Sequence, residues 1–151
     1  MRVVLQRVSA ASVRADGDLV GQIGTGALLL VGVASGDGVS DADALAAKVA
    51  GLRIFPDAEN RMNLSLLDVG GSALVVSQFT LLGSVSRGRR PSFTTAAAPE
   101  AAEAIVSRFA EGLAATGVPV EQGVFGARME VELVNDGPVT IVLESAGGRV
   151  L

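Results

Sequence analysis

Between Arg2 and Arg14 apolar and polar positions alternate imperfectly, with Val4, Gln6 and Val8 on one parity and Val3, Leu5 and Arg7 on the other, as in a half-buried strand. Asp16-Gly17-Asp18 carries a hairpin turn signal, and Leu19 to Ile23 returns as the partner strand. After a turn at Gly24-Thr25-Gly26, the segment Ala27 to Val33 is apolar on both parities, the mark of a central strand covered on each side. Ser35 to Gly38 reads as loop, Ser40 as a helix cap, and Asp41 and Asp43 as first-turn acids that the helix dipole favours. Leu45, Val49 and Leu52 then form an inward stripe, so this helix covers the sheet.

Arg53 to Asp57 leaves the helix, Glu59 to Asn63 is a polar turn before Leu64 to Leu67, and Gly70-Gly71 precedes a strand predicted from Ser72 to Leu82. Pro99 at a first helical position, with Glu100 and Glu103 behind it, opens a second helix. Its buried stripe is Ala102, Ile105, Val106, Phe109 and Leu113, and Gly117 ends it. Val118 to Glu121 is a short strand, Gly123 to Gly126 a turn, and Met129 to Leu133 leads into a final strand region. There, Val131 to Val134 and Ile141 to Leu143 read as strand on either side of Asn135-Asp136-Gly137-Pro138-Val139-Thr140. A proline cannot donate to a sheet ladder, so Gly137-Pro138 must sit at an edge, a bulge or a tight turn.

Composition narrows what such a chain does. At 151 residues, residues 1–151 are most simply one domain. No apolar run reaches the ~18 residues of a membrane span, and the apolar start Val3-Val4-Leu5 is too short for a secretory leader, so a soluble protein with no membrane partner is expected. With no cysteine there is no disulfide framework, which fits a cytoplasmic location. The absence of His, Cys, Tyr and Trp excludes Ser-His-Asp and Cys-His machinery and the usual zinc sites, and no cofactor is implied. A net charge of −4 argues against bulk nucleic-acid binding. One local patch remains, the loop from Ser84 to Pro91, where Arg87, Arg89 and Arg90 suit bidentate contacts with phosphate.

Chemistry is concentrated in two runs. Ser77-Gln78-Phe79-Thr80-Leu81 follows the apolar Leu74-Val75-Val76, so hydroxyls and an amide appear at the end of a buried strand. In a regular strand Gln78 and Thr80 share one face and Ser77 and Phe79 the other; all four line one pocket only if the strand ends or bulges there. The Thr80 hydroxyl is the first candidate nucleophile, but no base is at hand, and Asp136 is the only carboxylate in either run. Hydroxyls, one amide and exposed backbone N–H groups are better suited to holding an ester and stabilising its oxyanion, which requires a substrate that is already activated.

The SQFTL run at Ser77 to Leu81 and the NDGPVT run at Asn135 to Thr140 resemble the two signature motifs of the D-aminoacyl-tRNA deacylases. The resemblance extends over nearly the whole chain, through Gln6-Arg7-Val8, Gly24 to Gly32, Arg53-Ile54-Phe55, Met62-Asn63, Arg90-Pro91-Ser92-Phe93 and Gly123 to Met129. Departures are Arg61 where lysine is common, the Leu82-Gly83-Ser84 run, and a tail from Ser145 to Leu151.

The resemblance implies an α/β fold with a sheet-rich, barrel-like β core and two main covering helices. It implies a homodimer in which Gly137-Pro138 is cis and enters the partner's active site as a chiral filter that rejects L-aminoacyl esters. The implied activity is editing: hydrolysis of the ester joining a D-amino acid to tRNA, and of glycine mischarged on alanine tRNA, assisted by the 2′-hydroxyl of the tRNA's terminal ribose. By motif, Ser77, Gln78, Phe79 and Thr80 surround the ester, Arg7 braces the filter, and Phe125 and Met129 line the pocket. Two other readings stay open on the residues alone: an ester hydrolase with Thr80 as covalent nucleophile, and a non-catalytic RNA-binding or dimerisation module.

Overall fold

The computed structural model describes all 151 residues. Strand β1 (Arg2–Ala15) turns at Asp16 and Gly17 into β2 (Asp18–Ile23), and β3 (Gly26–Gly32) follows. Helix α1 (Val39–Gly51) leads to a two-stranded hairpin, β4 (Phe55–Pro56) and β5 (Met62–Leu64), and to the short helix α2 (Leu66–Val69). Next come β6 (Ser72–Ser77), a 3-10 turn (Phe79–Leu82), helix α3 (Pro99–Ala115), β7 (Val120–Gln122), the long β8 (Met129–Ala146) and β9 (Arg149–Val150).

Seven strands form one mixed sheet in the order β7-β6-β3-β1-β8-β9, with β2 paired to the distal half of β1. β3, β6 and β7 are parallel neighbours at one side of the sheet, joined by crossovers that run through α1 and α3. The sheet is not closed. It curls instead, because β2 folds over the face of β6 and β7: a Cβ at Gly21 would lie 3.0 Å from Leu74 Cδ1 and 3.1 Å from the carbonyl of Gln122.

Each sheet face carries its own core. Val3 and Leu5 of β1 point to the side covered by α1 and α3, where they meet Leu29, Val31, Leu45, Phe109 and Leu113 in a cluster of 25 buried residues. Val8, Ala11 and Val13 point the other way and join Ile23, Leu28, Leu74 and Val76 beneath β2. The parity of β1 therefore changes along its length, as register shifts against β8 between Gln6 and Ala10 require. That change is why the sequence alternation is imperfect.

Two helix and strand ends differ from the sequence expectation. The α1 cap is Gly38, not Ser40, because Asp41 Oδ2 takes the Gly38 N–H at 3.0 Å and so supplies the capping contact from the third helical position. Strand β6 stops at Ser77 and not at Leu82, and the four residues after Gln78 coil into the 3-10 turn. The tail from Ser145 is an ordered hairpin whose Gly148 N–H reaches Asp41 Oδ1 at 3.0 Å.

Candidate active site

The 3-10 turn begins where the chain leaves the sheet at Gln78. Gln78 closes the strand pairing with its N–H on the Val31 carbonyl at 2.7 Å, and its own dihedrals, φ −146 and ψ 79, turn the backbone away. The turn then settles on Gly32, where a Cβ would come within 2.5 Å of Leu82 Cδ2 and 2.9 Å of the Gln78 carbonyl, so only glycine permits the approach. Leu81 N–H donates to Gln78 O at 3.2 Å and Gly83 N–H to Thr80 O at 3.0 Å. The N–H groups of Phe79 and Thr80 stand at the head of the turn, where a helical turn offers no internal acceptor.

The condition set by the sequence is thus met, and the strand ends where its polar residues begin. Ser77, Gln78 and Phe79 border a cavity of about 470 Å³ at the end of β3 and β6. Its lining includes Val31, Val33 and Val76, Pro99, Ala102 and Val106 of α3, and Phe125, Met129 and Val131, so it draws on residues of both sheet faces. Thr80 lies outside the cavity on the exposed side of the turn, where its Oγ1 accepts a hydrogen bond from Gln78 Nε2. Phe79 is 58% exposed and packs edge-on to Phe93, ring centres 5.0 Å apart. Arg87, Arg89 and Arg90 are all exposed in the loop that begins just after the turn, between the paired Ser84 and Ser92.

The second run lies elsewhere. Between the pairs Gln6–Thr140 and Val8–Asn135, β8 takes five residue steps while β1 takes two, so Asp136, Gly137 and Pro138 bulge out of the ladder. The Gly137-Pro138 bond is cis, and both residues are exposed. Asn135 spans the bulge: its Oδ1 accepts from Val139 N–H and its Nδ2 donates to Thr140 Oγ1, each at 3.0 Å. Beneath the bulge Arg7 is buried, with Nε donating to the Asp136 carbonyl at 2.9 Å and Nη1 to the Ile54 carbonyl at 2.6 Å. The lone charge on the apolar parity of β1 thereby ties the bulge to the chain leaving α1.

The structure brings Ser77, Gln78, Phe79, Phe125 and Met129 together, and Arg7 with Gly137 and Pro138, but it keeps the two groups apart. Pro138 is level with Arg7 and Ala27, whereas Ser77 is level with Val31 and Val3, four residues further along the sheet. Three strand spacings of ~4.8 Å and four rises of ~3.3 Å put the two groups roughly 19 Å apart. No cluster of three or more residues able to hold a metal ion is present.

The face between them is half open. Leu30, Val4 and Val142 form an apolar row across β3, β1 and β8 on the side away from the helices, and Val142 is 60% exposed. The 3-10 turn over Gly32 borders this face at one end and the bulge at the other.

A family model described as D-Tyr-tRNA(Tyr) deacylase matches residues 4–144. The D-aminoacyl-tRNA deacylase of Thermomicrobium roseum is 66% identical over 146 residues, 97% of this chain and 95% of that protein. That of Chloroflexus aurantiacus is 58% identical over 150 residues, 99% of this chain and 94% of that protein. Among solved structures, the c-Myc DNA unwinding element binding protein superposes with a TM-score of 0.91 at 39% identity, covering 97% of this chain and 100% of that one. A probable eukaryotic D-amino acid tRNA deacylase shares the fold, with a TM-score of 0.82 at 19% identity over 93% of this chain and 97% of that one.

Proposed function

Because the chain belongs to the D-Tyr-tRNA(Tyr) deacylase family, we propose that it hydrolyses the ester between a D-amino acid and the terminal ribose of tRNA, and releases glycine from alanine tRNA by the same chemistry. One observation carries this reading: the strand that holds the first motif ends at Ser77, so that a turn headed by two N–H groups borders a largely apolar cavity. Such a cavity suits apolar contact with the flat faces of a base, the terminal adenine, while the turn takes the ester. In this reading amide and hydroxyl donors at the turn stabilise the developing oxyanion. The side chains of Ser77, Gln78, Phe79 and Thr80 carry no ionisable base, which favours assistance by the substrate's own 2′-hydroxyl.

The chiral filter is Gly137-Pro138 of a second copy. Within one chain the two motifs stand too far apart to share a substrate, so the site is complete only in a homodimer. A two-fold axis lying between the two chains, parallel to their open faces near Val4 and Val142 and across the line from turn to bulge, exchanges the two ends and carries the bulge of each chain toward the 3-10 turn of the other. The exposed apolar row gives that association its driving force. An L side chain then meets the bulge, whereas hydrogen or a D side chain points away from it. In this reading the arginines of the 87–90 loop hold tRNA phosphate, and the enzyme works in the cytoplasm.

The test is hydrolysis of D-, L- and glycyl-tRNA by the purified protein, with tRNA ending in 2′-deoxyadenosine as a companion substrate and sedimentation to give the oligomeric state. Cleavage of D- and glycyl esters alone, slow turnover of the deoxy substrate, and a dimer are expected. Equal hydrolysis of L-esters would refute the filter, near-normal turnover of the deoxy substrate the 2′-hydroxyl role, and an active monomer the shared site.

A further inference from the structure

The 3-10 turn that bears Phe79 and Thr80 is held at its far end by a residue outside both motifs. Arg2, at the start of β1, faces the open side of the sheet with Val4 and Gln6. Its Nε and Nη2 both lie 2.5 Å from Oε1 of Glu144, its cross-strand partner on β8. Nη1 projects the other way and donates to the Leu81 carbonyl at 2.6 Å. One planar guanidinium therefore bridges β8 and the turn across the end of β1, which a lysine's single ammonium cannot do with the same geometry.

We propose that Arg2 is a positioning residue for ester hydrolysis: it fixes the turn through Leu81 O so that the Phe79 and Thr80 donors are aimed before substrate arrives. The inference rests on the functional reading above. Two features make the arrangement more than a surface ion pair, which alone contributes little to stability. First, the last carbonyls of a helical turn have no internal partner, and here Leu81 O goes to Arg2 while Leu82 O accepts from the Thr95 hydroxyl at 3.1 Å. Second, the turn packs on Gly32, the residue paired with Arg2 on β3, so a glycine floor and an arginine clamp act on it at one level of the sheet. Glu144 restrains the guanidinium and leaves only Nη1 for the turn.

The experiment compares Arg2→Met, Arg2→Lys and Glu144→Gln in steady-state deacylation of D-aminoacyl-tRNA, together with amide hydrogen exchange of the intact protein. Arg2→Met is expected to lower kcat by about 10-fold with KM nearly unchanged, inside the ~10²-fold that a 1 Å misplacement can cost. Exchange should quicken at Leu81 and Gly83 and stay at parent levels in the centres of β1 and β8. Arg2→Lys should recover part of kcat, and Glu144→Gln, which keeps the hydrogen bond to Leu81 O, should be less impaired than Arg2→Met. Parent kcat in Arg2→Met, or a fall in kcat matched by faster exchange throughout β1 and β8, would overturn the proposal. If the parent protein does not hydrolyse D-aminoacyl-tRNA, the functional reading fails by itself, and the exchange pattern at Leu81 and Gly83 still decides whether Arg2 holds the turn.

Discussion

Gln78 Nε2 donates a hydrogen bond to Oγ1 of Thr80 within the turn that ends β6. The amide occupies a lone pair of the hydroxyl, which leaves the hydroxyl proton free to be donated outward. A nucleophilic threonine needs the reverse, an acceptor that removes its proton.

Thr80→Ala should therefore slow deacylation without abolishing it. Removing one oxyanion donor costs about 10²–10³ in kcat. Single-turnover measurements on D-aminoacyl-tRNA check this. Complete inactivity, joined to an acyl adduct on Thr80 of the parent protein, would establish covalent catalysis in its place.

How much of this is legible in the sequence depends on where the cause of each feature lies. Parity alone places β1, β3 and both covering helices, because burial on one or two faces leaves its period in the residues themselves. The end of β6 is not legible: Phe79, Thr80 and Leu81 are acceptable in a strand, and what stops them is Gly32 on another strand and Arg2 on a third. The small hairpin of β4 and β5 and the four-residue α2 fall below the length at which periodicity speaks, although Ser65 and Asp68 do form a capping pair there. Within the site, Arg7 has a local signal, a charge among Val3, Leu5 and Val8. Phe125 and Met129 have none beyond resemblance, since a turn and a strand start reveal nothing of the cavity they enclose. Arg2 reads only as a strand's first residue.

The arginines of the 87–90 loop are all exposed and make no ion pair with the chain's own carboxylates under 4.0 Å. Replacing Arg89 and Arg90 with Gln should weaken tRNA binding and flatten its salt dependence by roughly 0.7–0.9 log units for each phosphate that the protein no longer neutralises. Filter binding across a series of salt concentrations measures the slope. A slope equal to that of the parent would show that the loop does not touch the RNA.

Asp41 links the first turn of α1 to the hairpin of β8 and β9, and it is almost fully buried. Its carboxyl is held below the ordinary 3.8 chiefly by the Gly148 N–H and, to a smaller degree, the Gly38 N–H, against a burial effect that raises it. A carboxyl lowered in the fold contributes stability that is fully present above the unfolded value and is lost as pH falls through the folded one. Asp41→Asn should therefore cost about 1–3 kcal/mol at neutral pH, and the gap from the parent should narrow as acid protonates the parent's Asp41. Urea unfolding in neutral and in acidic buffer tests this, and a constant gap would show that the charge of Asp41 is not what binds the hairpin.

Gly137 has φ +138, a region that side-chain-bearing residues rarely adopt, and its surroundings leave no room for a Cβ. That atom would lie 2.8 Å from Val139 Cγ2, 2.9 Å from Val139 N and 3.0 Å from Arg7 Nη2. None of the three neighbours is free to retreat. Val139 is buried and its N–H is held by Asn135 Oδ1, while Arg7 is buried and pinned by the carbonyls of Asp136 and Ile54. Gly137→Ala must then displace the bulge itself, at a local cost of about 1–3 kcal/mol for the strained backbone. If the bulge is the wall against which the partner's substrate is sorted, moving it crowds the pocket for every ester, and hydrolysis of D- and glycyl-tRNA should fall together by at least about 10-fold. Adding Arg7→Ala should not restore activity, because the two Val139 clashes remain and the brace is gone. Kinetics on dimer that retains the parent's circular dichroism provides the check. Parent-level rates on both esters would show that the bulge takes no part in the site, and rescue by Arg7→Ala would show that Arg7 crowds the bulge without bracing it.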